Sequence, residues 1–168
     1  KQYFKHHQHW PNKPNTVNSN MIWSIFQDED ENLWVGTDKG VNIFNSTSGK
    51  VDVITPNFSF TKIQKNDGVH SFFKDHNNVV YIGTDGGVFY YKNGEMIHIT
   101  DSKTHQNEDR TYSIIEDNQN QLWFATKQGV VSLSEDRKTF QTYTTEEGLS
   151  SDLIRTLYKD KQGDIWVG

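Results

Sequence analysis

The chain has 168 residues with a net charge of -5, enough for one ordinary domain and without the basic field that a nucleic-acid backbone demands. It contains no cysteine, which excludes disulfides and thiolate metal sites, and no apolar run approaches the roughly 20 residues of a membrane span. Aromatic residues make up 13% of the chain while alanine occurs once, at Ala125, so good helix formers are scarce and an all-β fold is expected.

Read in chain order, one stretch governs the rest. Ile22 to Val41 has counterparts at Val69 to Val88, at Thr111 to Val130 and from Ile154 to Gly168. Recurrence at a period of roughly 40 residues marks a repeat architecture. A hydroxyl stands at Ser24, Ser71, Ser113 and Thr156, and an aspartate follows at Asp28, Asp75, Asp117 and Asp160. Next comes an aromatic at Trp34, Tyr81, Trp123 and Trp166, then a small residue at Gly36, Gly83, Ala125 and Gly168. Thr37, Thr84 and Thr126 and then Gly40, Gly87 and Gly129 complete the frame.

Before the first repeat, Tyr3 to His6 reads as the last strand of a preceding blade. Alternation and turn residues then divide each repeat into four strands. The first repeat gives Ile22 to Asp28, Asn32 to Thr37, Gly40 to Phe44 and Lys50 to Ile54. Residues 56–68 form a longer connection, in which Phe58 to Ile63 is an alternative fourth strand. The second repeat gives Val69 to Asp75, Val79 to Thr84, Gly87 to Lys92 and Glu95 to Thr100. The third gives Thr111 to Asp117, Gln121 to Thr126, Gly129 to Ser134 and Thr139 to Tyr143. Leu153 to Asp160 and Asp164 to Gly168 open a fourth repeat that stops half-way. The expected domain is thus a partial β-propeller over 1–168, with repeats near 17–55, 69–100, 111–143 and 149–168, cut from a longer protein.

The aspartate ends each first strand because its carboxylate accepts backbone N–H groups in an Asx-type turn. Glu31, Asn78, Asn120 and Gly163 then need positive φ, which suits asparagine and glycine better than Glu31 and predicts strain in the first hairpin. Gly40, Gly87 and Gly129 carry the same demand in the second turn. The strand aromatics fill the space between blades and belong to the core.

The run Asp28-x-x-x-Asn32-Leu33-Trp34-Val35-Gly36-Thr37-x-x-Gly40-Val41 resembles the two-component regulator propeller repeat. Gly148 to Ile154 and Val17 to Ile22 are similar to the lead-in that such repeats carry. The lead-in is lost before the second and third repeats, and Ala125 replaces the usual glycine. The resemblance implies the extracytoplasmic, periplasmic sensor region of a hybrid two-component histidine kinase, which detects an oligosaccharide. It implies no cofactor and no enzyme activity for this segment. The alternatives from other classes are a propeller lyase or hydrolase acting on a glycan, and a protein-interaction scaffold.

Metal and catalytic motifs are weak. His6, His7 and His9 cluster without further ligands at matching spacing, and Asp28-x-Asp30-x-Asn32 opens like a calcium loop but has Leu33 and Lys39 where glycine and a bidentate glutamate belong. Glu146 and Glu147 are sequence neighbours that point apart. No nucleophile elbow, phosphate loop or zincin helix occurs.

A ligand face is expected where first strands begin. Just before the constant hydroxyl, the residue varies without regard to packing: Trp23, His70, Tyr112 and Arg155. Aromatics that stack on sugar rings, with an imidazole and a guanidinium that bind hydroxyls or uronic carboxylates, suit a carbohydrate site. Asp38, Lys39, Asp85, Lys127 and Gln128 in the adjacent turns vary likewise. Three blades do not close a ring, so self-association through exposed blade edges or dimerisation is expected too. Nucleic acid and direct membrane contact are not expected.

Overall fold

The computed structural model describes residues 6–54, 68–93, 95–99 and 110–168. They fall into two compact units, Lys1–Val69 and His70–Gly168. The first unit holds one antiparallel sheet, β1 (Ile22–Gln27), β2 (Leu33–Thr37), β3 (Gly40–Phe44) and β4 (Val51–Ile54), hydrogen-bonded in sequence order. The second unit repeats this twice. β5 (Val69–Lys74), which begins on the last residue of the first unit, forms a sheet with β6 (Val80–Thr84), β7 (Gly87–Lys92) and β8 (Glu95–Ile99). β9 (Thr111–Glu116), β10 (Leu122–Thr126), β11 (Gly129–Leu133) and β12 (Phe140–Tyr143) form the next, and β13 (Leu157–Lys159) pairs with β14 (Ile165–Val167). These are four-stranded antiparallel blades, the fold class of a β-propeller fragment. The expected strand at Tyr3 to His6 falls outside the described residues except for His6, which is irregular, and Phe58 to Ile63 falls outside them entirely.

The strands end one residue earlier than alternation suggests, because the aspartate belongs to the turn. Asp117 Oδ1 accepts the N–H groups of Gln119 (2.8 Å) and Gln121 (2.9 Å), while Oδ2 accepts Trp123 Nε1 (2.7 Å). Asp160 repeats the pattern with Gln162, Asp164 and Trp166. In the first blade Asp28 takes Asn32 N (2.8 Å) and Trp34 Nε1 (2.8 Å), and in the second Asp75 takes Val79 N (2.9 Å) and the Tyr81 hydroxyl (3.1 Å). The aspartate and the aromatic recur together because one carboxylate clasps both the turn and the ring six residues on. Trp34 and Tyr81 are each 4% exposed, as core aromatics should be. Trp166 departs from that expectation at 64% exposure, since it stands in the two-stranded sheet.

The other constant pair is the hydroxyl and the small residue opposite it. Ser24 pairs with Gly36 and Ser113 with Ala125 across the first two strands. A Cβ on Gly83 would lie 2.4 Å from Ser71 Oγ and 2.9 Å from the Thr111 carbonyl, so glycine lets the next blade approach. Ser24 Oγ donates to the Val69 carbonyl at 3.0 Å, and Ser113 Oγ accepts the Leu157 N–H at 3.3 Å. Between the two full blades of the second unit lies a core of Tyr81, Val88, Ile114, Leu122, Phe124, Val131 and Leu133. Ala125, Val130, Ile154 and Leu157 continue it towards β13. Arg137, at φ 59° in the β11–β12 turn, braces the same two blades. Its five N–H groups reach the Tyr81 hydroxyl, the Asn120 and Ser134 carbonyls, and the carboxylates of Asp75 (3.0 Å) and Glu116 (3.3 Å). Burial pushes the Tyr81 phenol up to about 12.

Glu31 has φ 62°, where Asn78, Asn120 and Gly163 have 63°, 60° and 96°. A glutamate in that region costs about 1 kcal/mol more than asparagine or glycine. Glu31→Asn should therefore raise the denaturant midpoint by an amount equivalent to roughly 0.5–1 kcal/mol, and an unchanged or lower midpoint would contradict the strain. The clasps also predict an acid limb. Burial works to raise Asp28, but hydrogen bonds from Trp34 and Asn32 outweigh it and leave the carboxyl below its usual range, and the Trp166 hydrogen bond lowers Asp160. A depressed carboxylate stabilises the fold fully above the ordinary value and loses that contribution as pH falls through the lowered one. Melting temperature should hold from pH 7 to about 4 and fall below it; a flat profile down to pH 2 would contradict this.

Candidate functional site

In each four-stranded sheet the first strand carries one residue more than the second. Six residues of β1 face five of β2, and six of β9 face five of β10. The surplus is taken up by a bulge at a fixed place: Ile22 pairs with Thr37 and Ser24 with Gly36, which leaves Trp23 over. Likewise Thr111 pairs with Thr126 and Ser113 with Ala125, which leaves Tyr112 over. In the last sheet the N–H groups of Arg155 and Thr156 both donate to the Gly168 carbonyl at 2.8 Å, the hydrogen-bond signature of the same bulge. This also explains why β13 begins at Leu157 and not at Leu153. In these three sheets the residue that varies before the constant hydroxyl, Trp23, Tyr112 or Arg155, is thus the bulged residue, released from strand alternation and re-aimed.

The neighbouring turns are held by the constant threonines. Thr84 Oγ1 accepts the Gly86 N–H and donates to the Gly87 carbonyl (both 3.0 Å), and Thr126 does the same with Gln128 (3.0 Å) and Gly129 (2.9 Å). Gly87 and Gly129 have φ 109° and 114°, as the turn requires. The lead-in at 148–154 is fastened to that turn: Gly129 N donates to the Asp152 carbonyl (2.6 Å) and Ile154 N to the Thr126 carbonyl (2.9 Å). Arg155 therefore leaves from a backbone anchored on both sides.

In the second unit three of the four residues that precede the constant hydroxyl, His70, Tyr112 and Arg155, come together. His70 Nε2 lies 2.8 Å from Asp85 Oδ1, and the Arg110 Nε donates to the same oxygen. The His70 and Tyr112 rings meet edge to face at 5.2 Å, and the Arg155 guanidinium lies over the Tyr112 ring with Cζ 4.2 Å from its centroid. Burial opposes the Arg110 charge, but its hydrogen bond to Tyr112 and the charge of Asp85 outweigh this and leave its pKa raised. His70, Asp85 and Tyr112 are half-buried, while Arg110 and Arg155 are exposed. The result is a shallow, largely pre-arranged surface of an aromatic face, an imidazole–carboxylate pair and two guanidinium groups.

Lys127 and Gln128 are exposed on the β10–β11 turn. Trp23, Asp38 and Lys39 belong to the first unit, where the Trp23 ring lies so close over Gly68 that a Cβ there would clash with it. Arg110 escaped the sequence reading because it stands outside the repeat frame; a cation two residues before a bulged tyrosine was its only signal.

Other candidate chemistry has other partners. His9 makes its contacts with the Val17 carbonyl (2.7 Å) and Asn20 (2.7 Å), His7 packs edge-on against Phe44, and the Asp28 carboxylate is held by Asn32 and Trp34. Glu147 closes a capping box with Thr144. Asp75, His76 and Glu116 each bring one ligand atom within 4.8 Å of the others, but Arg137 already fills the space between the two carboxylates. A cavity of about 390 Å³ beside it is lined by Tyr81, Tyr90, Ile97, Phe140 and Arg137, whose donors are all engaged.

The two-component regulator propeller family model matches residues 16–39, 105–128 and 148–168, three stretches that coincide with the repeat frame. No curated protein sequence matches. Among solved structures, the chain is similar to an extracellular domain assigned to the hybrid two-component system BT4673 of B. thetaiotaomicron. That likeness has TM-score 0.76 at 24% identity and covers 92% of this chain and 21% of the other. It is also similar to the extracellular domain assigned to the hybrid two-component system BT3049 of B. thetaiotaomicron, with TM-score 0.70 at 26% identity over 90% and 21%. Virginiamycin B lyase from Staphylococcus aureus shares the fold at TM-score 0.65 and 14% identity, over 88% and 48%. The chain spans about a fifth of the length of the two extracellular domains it resembles.

Asp85 is the common acceptor of this surface. Asp85→Ala removes it from both His70 and Arg110 and should lower stability by about 1 kcal/mol, the scale of a partly exposed ion pair with hydrogen bonds. An unchanged thermal midpoint would show that the cluster is not held through this carboxylate.

Proposed function

We propose that this chain is a ligand-sensing propeller segment of the extracytoplasmic, periplasmic region of a hybrid two-component sensor, and that its ligand is an oligosaccharide. The observation that carries the reading is the meeting of His70, Tyr112 and Arg155, the residues that vary within an otherwise constant frame, in one cluster. A half-buried tyrosine flanked by hydrogen-bonding side chains suits the face of a sugar ring and its hydroxyls. The likeness to sensor extracellular domains supports the signalling setting. Among the described residues no helix is long and apolar enough to cross a membrane.

A second reading is enzymatic. His70 and Asp85 at 2.8 Å form the kind of pair that orients an imidazole for proton transfer, and virginiamycin B lyase and a glycoside-hydrolase-family-74 enzyme share the fold. Release of shortened or unsaturated products would identify it, whereas saturable binding without turnover fits the sensor.

Calorimetry of the full chain with a panel of neutral and acidic oligosaccharides tests the main reading. Tyr112→Ala should weaken the bound member of the panel at least about tenfold, a loss of roughly 1.4 kcal/mol. Unchanged affinity, or a panel with no binder, would overturn it.

A further inference from the structure

The charges of the cluster do not balance. Asp85 is its single carboxylate among the described residues, and it is shared by His70 and Arg110 through one oxygen. Arg110 divides its donors between Asp85 and Tyr112. Arg155 is different. Its backbone N–H is fixed to Gly168, but its exposed guanidinium has no hydrogen-bond or ion-pair partner among the described residues, only the stacking contact on Tyr112. Stacking on a ring face consumes none of the N–H donors, which radiate in the plane of the fork. The side chain is thus a cation held ready in one orientation, with its donors open and less rotamer freedom left to lose on binding.

We propose that Arg155 makes this surface selective for a carboxylate-bearing sugar, a uronic acid residue of an acidic oligosaccharide, over its neutral counterpart; this rests on the oligosaccharide reading above. The guanidinium fork matches a carboxylate in two parallel hydrogen bonds, and the Tyr112 ring that carries it extends beside the same sugar. The Asp85 carboxylate does not repel such a ligand decisively, because Arg110 is paired with it.

The test is calorimetry of the full chain with tetramers of galacturonate, glucuronate and mannuronate, each beside its carboxyl-reduced neutral form, with butanetetracarboxylate as a sugar-free anion of equal charge. The expected result is that one acidic tetramer binds at least about tenfold more tightly than its reduced form and far more tightly than the sugar-free anion. Arg155→Gln should bring the acidic tetramer to the affinity of the neutral one, and Arg155→Lys, which keeps the charge and loses the fork, should fall between. Equal binding of acidic and reduced forms, or selectivity that survives in Arg155→Gln, overturns the inference and leaves the oligosaccharide reading standing. Binding of the sugar-free anion as tightly as the uronide overturns the oligosaccharide reading and leaves only an anion site. Binding of none of these probes overturns both.

Discussion

The clasp at the end of each first strand is the interaction on which the rest depends. One aspartate carboxylate caps a tight turn with one oxygen and holds the ring of the second strand with the other, as at Asp117 and Asp160. A charged acceptor of backbone and indole N–H groups forms stronger hydrogen bonds than a neutral one, and the aromatic brings its apolar body into the core while its polar tip is satisfied. Register is therefore set from that end of the hairpin. The far end is set independently by the threonine and glycine of the second turn.

Two fixed ends with unequal residue counts leave one residue over, and the bulge that absorbs it is the bridge between fold and function. Trp23, Tyr112 and Arg155 occupy it, and neither cross-strand pairing nor the core dictates their chemistry. A position that the scaffold supports but does not specify is where a repeat protein can change its ligand while keeping its blades. The frame residues make the opposite case: Gly83 is constrained by Ser71 and Thr111 at distances that admit no side chain.

Most of the strand plan was legible because the chain is its own alignment. Four copies of one frame identify the turns, the positive φ at Asn78 and Asn120, and the variable positions without any outside comparison. What was not legible has physical causes. The indole–carboxylate bond hides behind a spacing of six that reads equally well as packing. The bulge depends on how the first strand pairs with the second, which the order of residues in one strand does not show, so the variable residue was located but its reason was not. Arg110 and the meeting of Tyr112 with Arg155 depend on how successive blades bring distant strand starts together, which no local pattern encodes. Trp166 shows the reverse failure, since its frame position promised burial and the two-stranded sheet leaves it exposed.

The site that results is small and electrostatically uneven: a neutralised Asp85–Arg110–His70 group beside an aromatic face that carries an open guanidinium. A crystal structure of the full chain with a bound acidic oligosaccharide tests the central claim most directly. The account predicts a sugar ring against Tyr112, with a carboxylate within hydrogen-bond distance of Arg155. A ligand seated away from these two residues would contradict it.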